Sequence, residues 1–287
     1  MSGAAGPVTG PGAVLTRPFF AGPALEVAER LLGCVIEHQT ADGIVGVMLT
    51  EVEAYEGESD PASHAYRGRS QRNAVMFGPP GHAYVYFTYG MHFCVNLVCK
   101  PAGTASAVLL RAGRVIEGAE LAASRRAVAG PGGRDLARGP ARLCQALAIE
   151  RSQNGSDVSD PASPLRVRAG TAAGAGKGRA VSTGPRVGVN GAAERPWRFW
   201  LAGDPTVSAY RPHVPRRRGR AAPADAPRAA PADAPRAAPA DAPRADAPRA
   251  AGRSAAAPGP AAPPGPAARP GPESVTARPG GDDTMQR

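Results

Sequence analysis

Apolar residues in this chain recur first at helical and then at strand spacing. Between residues 24 and 32, Leu25, Ala28, Leu31 and Leu32 fall three and four apart and Gly33 follows, which predicts a short amphipathic helix. Two runs, CVIEHQT and IVGVMLTEVEAY, then flank the turn dipeptide Asp42-Gly43 and predict a β-hairpin. A polar, irregular stretch fills residues 56–72. Beyond it HAYVYFTYG and HFCVNLVCK meet near Gly90 as a second hairpin, and ASAVLLRA (residues 105–112) reads as a buried strand. Helices are predicted over residues 117–128 and 140–149. In the latter Pro140 suits the first helical position, and Leu143, Cys144 and Leu147 share a face. After a Gly/Ala-rich interval at 169–184, the runs PRVGV and WRFWLAG complete a core. Neighbouring strands with helices inserted among them predict an α+β domain around an antiparallel sheet.

Composition then divides the 287 residues. Residues 14–213 form the predicted folded domain, residues 1–13 a disordered start, and residues 214–287 a disordered tail of Ala, Pro, Arg and Asp in which AAPADAPR occurs three times. The repeat is too short and too proline-rich for a solenoid and holds no large apolar residue. The domain carries 22 Lys+Arg against 17 Asp+Glu and the tail 12 against 7, so each contributes +5 to the net +10. A mildly basic chain suits a polyanionic partner. The RRRGR run at residues 216–220 is either a tether for such a partner or a solvated linker.

Cys34, Cys94, Cys99 and Cys144 form no CxxC pair and no Cys/His ligand spacing, so no metal site is predicted and the thiols read as buried groups of a reducing compartment. No long apolar segment spans a membrane and residues 1–13 lack the pattern of a secretory signal, which predicts a cytoplasmic protein.

Candidate chemistry sits on the strands. Glu51, Glu53 and Tyr55 alternate in TEVEAYEG, so on a strand they share one face while Val52 and Ala54 point to the core. That face is either solvated or a site, because two buried carboxylates need partners. His64, in SHAYRGRSQRN, is either a proton-transfer or hydrogen-bonding group over that face or a loop residue bonded to backbone. Asn96 and Arg111 emerge from apolar runs and are either paired within the fold or offered to a ligand. Tyr84 and Tyr86 share a face, and Tyr89 breaks their rhythm just before Gly90, so Tyr86 suits stacking on a flat ligand and Tyr89 the tip of a wedge. Alternatively the tyrosines are core and turn residues.

The segments LTRPFF, TEVEAYEGESDPASHAYRGRSQRNAVMFGPPGHAYVYFTYGMHFCVN, ASAVLLRA, GPARLCQALAI and PRVGVN, in this order from about residue 15 to 208, resemble the alkyladenine (3-methyladenine) DNA glycosylase family. The resemblance implies a single α+β domain, a curved antiparallel sheet with surrounding helices and a protruding hairpin. It also implies a nucleoid-associated monomer that needs no cofactor and acts on double-stranded DNA containing damaged purines. By this resemblance Tyr89 intercalates where a damaged nucleotide is rotated out, and Tyr55, His64, Tyr86 and Asn96 line the pocket that receives it. Electron-rich rings favour a cationic alkylated purine, and Asn96 helps to reject guanine. Glu53 is implied as the general base for water attacking C1′, with Arg111 holding that water or a neighbouring phosphate. The only lysines, Lys100 and Lys177, lie outside the pocket motif, so water rather than an amine is the expected nucleophile and an intact abasic site the product. His92 stands where an aromatic is common, and the tail has no counterpart in the resemblance.

Two other classes remain open at the level of sequence. A glycoside hydrolase would use Glu51 and Glu53 as its pair, although two carboxyls on one strand face do not flank a scissile bond. A nucleic-acid-binding module without chemistry would leave Glu53 and Arg111 without a role.

Overall fold

The structure is a computed structural model, and it describes residues 10, 12–88, 90–127, 133–170 and 180–213. The predicted tail (214–287), nearly all of the predicted disordered start and Tyr89 lie outside the described residues. The chain opens with two helices, α1 (Arg17–Phe20) and α2 (Ala24–Leu31). Ala24, Val27, Ala28 and Leu31 recur at helical spacing and are fully buried. No neighbouring side chain caps the start of α2. Instead Glu56, thirty-two residues on, accepts the Ala24 N–H at 2.9 Å.

The first hairpin forms as the alternation predicts, from β1 (Val35–Thr40) and β2 (Gly43–Tyr55). The turn differs in one residue: Thr40 pairs with Gly43, so Ala41 and Asp42 make the loop and Gly43 opens the strand. The second hairpin is β3 (Ala83–Thr88) with β4 (His92–Val98), and ASAVLLRA lies in the longer β5 (Ala107–Glu117). Helices α3 (Ala119–Arg125) and α4 (Pro140–Leu147) are shorter than their predicted spans. Pro140 does open α4, and Leu143, Cys144 and Leu147 are buried together. Four short strands escape the sequence pattern in whole or part: β6 (Ala137–Arg138), β7 (Leu165–Arg168), β8 (Val181–Gly184) and β9 (Arg198–Leu201). Only β9 coincides with a predicted run. PRVGV is not a strand: it leaves β8 and runs irregularly, because its residues bond to β2 side chains and carbonyls rather than to a ladder.

Every pairing is antiparallel, and the order is β3-β4-β5-β2-β1-β7. β2 organises the sheet. Its first half pairs with β1, its second half pairs with β9 at Glu51–Glu53, and β5 runs along much of its length with register shifts near Leu49, Glu51 and Val52. At that bulge β5 and β2 approach so closely that a Cβ on Gly113 would lie 2.4 Å from the Met48 carbonyl oxygen.

The pleat sorts four strands into two faces. Val52 and Ala54 of β2, Ala83 and Val85 of β3, Val95 and Leu97 of β4, and Val108 and Leu110 of β5 are all fully buried in one cluster with α2 and α4. Each large apolar side chain so buried contributes about 1.5–3 kcal/mol. The intervening residues of the same strands point to the opposite side, where the candidate site lies.

Candidate active site

That opposite side is a cavity of about 470 Å³. The four strands deliver Glu53 and Tyr55, Tyr84 and Tyr86, Cys94 and Asn96, and Leu109 and Arg111 to its wall, in each case by the alternation that sends their neighbours to the core. The loop after β2 adds His64, and the segment after β8 adds Val187 and Gly188. Gly57 starts that loop at φ +59°, and a Cβ there would lie 2.0 Å from the Ala105 carbonyl oxygen, so only glycine lets the chain leave β2 so close to β5.

Glu53 is fully buried. Its Oε1 accepts the Val187 N–H at 2.7 Å and lies 3.3 Å from the Arg111 guanidinium, while Oε2 accepts the Tyr55 hydroxyl at 2.8 Å. Glu51 is equally buried, and it accepts from Arg111 and Arg198 and from the backbone and hydroxyl of Ser208. The solvated reading of this strand face is therefore wrong. Burial works against the charge on Arg111, but the carboxylates of Glu53 and Glu51 outweigh it and raise the pKa above the ordinary arginine value. Burial, and next the Glu53 charge, push the Tyr55 phenol well above its usual range, so it is a fixed proton donor to that carboxylate.

The aromatic side of the cavity is continuous. Tyr84 and Tyr86 lie 5.6 Å apart between centroids, and the His64 ring meets Tyr86 edge-on at 4.5 Å. His64 stands at the mouth with Nδ1 3.0 Å from the Tyr84 hydroxyl. Partial burial of its ring and the Arg72 charge lower its pKa below the usual histidine value. Cys94 and Tyr86 share a hydrogen bond through thiol and phenol, and burial is the first cause that raises both. Asn96 is buried in the wall and donates Nδ2 to the Tyr84 carbonyl at 3.2 Å.

Six of the seven residues given site roles by the family resemblance (Glu53, Tyr55, His64, Tyr86, Asn96 and Arg111) thus meet at one cavity, and the seventh, Tyr89, lies outside the described residues. Near it in sequence, Phe87 of β3 and Met91 are exposed apolar side chains. Sequence reasoning missed the support behind the wall. Arg186 is fully buried, pairs with both oxygens of Asp60 (2.5 and 2.8 Å), donates to the Ala54 carbonyl at 3.0 Å, and lies 4.6 Å over the Tyr55 ring. Its neighbour Val187 supplies the amide on Glu53. The available signal was a lone arginine inside the short run PRVGV and the Asp60-Pro61 turn. Among the described residues no three or more His, Cys, Asp or Glu are placed to hold a metal ion, and no helix is long and apolar enough to cross a membrane.

Comparison with known proteins shows the family. A profile of the methylpurine-DNA glycosylase family matches residues 18–205. A provisionally named 3-methyladenine DNA glycosylase of Streptomyces avermitilis is 57% identical over 206 residues, 71% of this chain and 95% of that protein. Relatives with the same provisional name in Leifsonia xyli subsp. xyli and Frankia casuarinae are each 51% identical, over 69% of this chain and 92% and 93% of their own lengths. A match across the whole sheet and cavity at such identity leaves one assignment: the chain belongs to the methylpurine-DNA glycosylase family and is a DNA-repair glycosylase of alkylated bases.

Proposed function

We propose that the enzyme rotates an alkylated or deaminated purine out of duplex DNA into this cavity and hydrolyses its bond to the sugar, leaving an abasic site. The observation that carries the reading is a fully buried carboxylate, Glu53, at the wall of an aromatic cavity large enough for a base. A carboxylate has about four lone-pair positions. The Val187 amide, the Tyr55 hydroxyl and Arg111 occupy three, and one on Oε2 remains for water.

Water bound there gives its proton to Glu53 as its oxygen bonds to C1′. The C1′–N bond breaks and its electron pair leaves with the purine, whose positive charge after N3 or N7 alkylation is thereby neutralised. The departing base needs little acid assistance, and the carboxylate stabilises the developing oxocarbenium ion. Tyr55, Tyr86 and His64 hold the extruded purine, Asn96 opposes the exocyclic group of guanine, and Tyr89 fills the gap left in the stack. Lys100 pairs with Glu56 away from the cavity, and Lys177 lies outside the described residues, so a water nucleophile and a monofunctional reaction are the simpler chemistry. The enzyme works as a monomer without a cofactor.

The test is incubation of the purified protein with alkylated duplex DNA, with released bases identified by chromatography and strand integrity followed on a gel. Release of free alkylpurine from an unbroken strand is expected. Strand cleavage coupled to release would show an amine mechanism, and the absence of any released purine would remove the reading.

A further inference from the structure

Glu51 is two residues from Glu53, on the same face and fully buried, yet it does not line the cavity. Four donors reach it, three on Oε1 (Arg111 Nε at 3.0 Å, Arg198 Nε at 2.7 Å and the Ser208 hydroxyl at 2.8 Å) and one on Oε2 (the Ser208 amide at 2.7 Å). Lying off the cavity wall, it does not meet a group bound there. What it does is hold Arg111 sideways. Charges alternate along a row, Arg198, Glu51, Arg111, Glu53, and with Arg111 Nε on Glu51 and its Nη2 on the Ser208 hydroxyl at 3.4 Å, Nη1 is the nitrogen that meets Glu53, at 3.3 Å.

That distance matters because an arginine free to choose meets a carboxylate through two parallel bonds of about 2.7–2.9 Å. Such a fork would close the lone pair on Glu53 Oε2. We infer that Glu51 is a positioning residue that divides Arg111 between two carboxylates and so keeps Glu53 open to water. The inference rests on Glu53 being the general base. It also accounts for a buried charge row that carries four desolvated groups where an apolar patch would be at least as stable.

The test reads the acid side of the pH dependence of single-turnover excision. The charged and titratable groups around Glu53 are Glu51 and Tyr55 on β2, Tyr86 on β3, Cys94 on β4, Arg111 on β5, and Arg186 beyond β8. The phenols and thiol are raised, away from the acid range, and His64, whose pKa is lowered, is left unchanged in wild type and variants alike. Glu51→Gln strands one buried positive charge, so it is paired with Glu51→Gln/Arg198→Met, which removes one charge of each sign and restores the balance.

With Arg111 drawn fully onto Glu53, the plateau rate is expected to fall by about tenfold or more. The pH of half-maximal activity is expected to move down by about one unit, because an opposite charge favours the carboxylate. Binding of a lesion-bearing duplex is expected to stay unchanged. A folded variant with the wild-type rate, or one whose rate falls equally at every pH, overturns the inference. Wild-type protein that releases no purine overturns the functional reading and this inference with it, whereas wild-type release with an unmoved pH limb overturns this inference alone.

Discussion

The two faces of strands β2 to β5 are built by the same alternation and obey opposite rules. On the helix side, Val52, Ala54, Val85, Val95, Leu97, Val108 and Leu110 need only to be apolar and to fill space. On the cavity side, Glu53, Asn96 and Arg111 are buried and Tyr55 and Tyr86 half-buried, and each has a polar group tied to a named partner. Burying charge in this way is at best neutral for stability. The contrast teaches that the helix side makes the fold, while the cavity side carries buried charge that the fold has to offset and that the proposed chemistry would use.

Four experiments test that contrast, in order of expected size. Glu53→Gln keeps the side-chain shape but removes the proton acceptor, so excision in a single turnover falls by about 10²–10⁴-fold while affinity for lesion-bearing duplex is retained. A variant keeping more than about a tenth of the rate would contradict the role of Glu53. On the other face, Leu110→Ala opens a cavity under α2 and α4 and is expected to cost about 2–5 kcal/mol of folding stability by denaturant titration, with the excision rate per folded molecule unchanged. Loss of catalysis without loss of stability would mean that the faces are not separable.

Tyr86→Ala comes next. It removes the ring that the proposal places against the extruded purine, and excision should weaken by about 1–3 kcal/mol on matched, mismatched and single-stranded substrates alike. A penalty that vanishes in the mismatched and single-stranded contexts would move Tyr86 from gripping the base to helping it out of the stack. The smallest effect concerns His38, a buried histidine of β1 whose Nδ1–H donates to the Leu147 carbonyl at 2.7 Å. Burial, and after it the Arg125 charge, lower its pKa. The unfolded chain takes up this proton near pH 6.5 and the folded chain only at lower pH, so the associated stability is complete above about 6.5 and is lost as pH falls through the folded value. His38→Gln should melt with a flatter pH dependence between about pH 7.5 and 5. An unchanged slope would assign the acid sensitivity to other groups.

Legibility in the sequence followed the range of the interactions. The helix at Ala24–Leu31, both hairpins, and the shared face of Glu51, Glu53 and Tyr55 were all visible, because each depends on neighbours within a few residues. The strands β7 and β8 were not. Each is four residues long and depends on a partner distant in sequence, as when Val35 pairs with Arg168. Likewise the lone arginine in PRVGV was visible but not its place behind Tyr55, since its partner Asp60 lies 126 residues away.

Glu51 and Glu53 show where the boundary lies. Their sequence alone determined that they stand on one face, two residues apart, because a strand has period two and nothing else in TEVEAY competes with that geometry. Which of them meets the cavity was decided only in three dimensions. A bulge in the β2–β5 ladder, the pairing of β9 alongside Glu51, and the return of Ser208 to cap it turn one glutamate into a structural anchor. The amide of Val187 and the ring of Tyr55 leave the other facing a void. Alternation is a property of a single strand, whereas the solvation of a carboxylate depends on whatever the rest of the chain brings beside it.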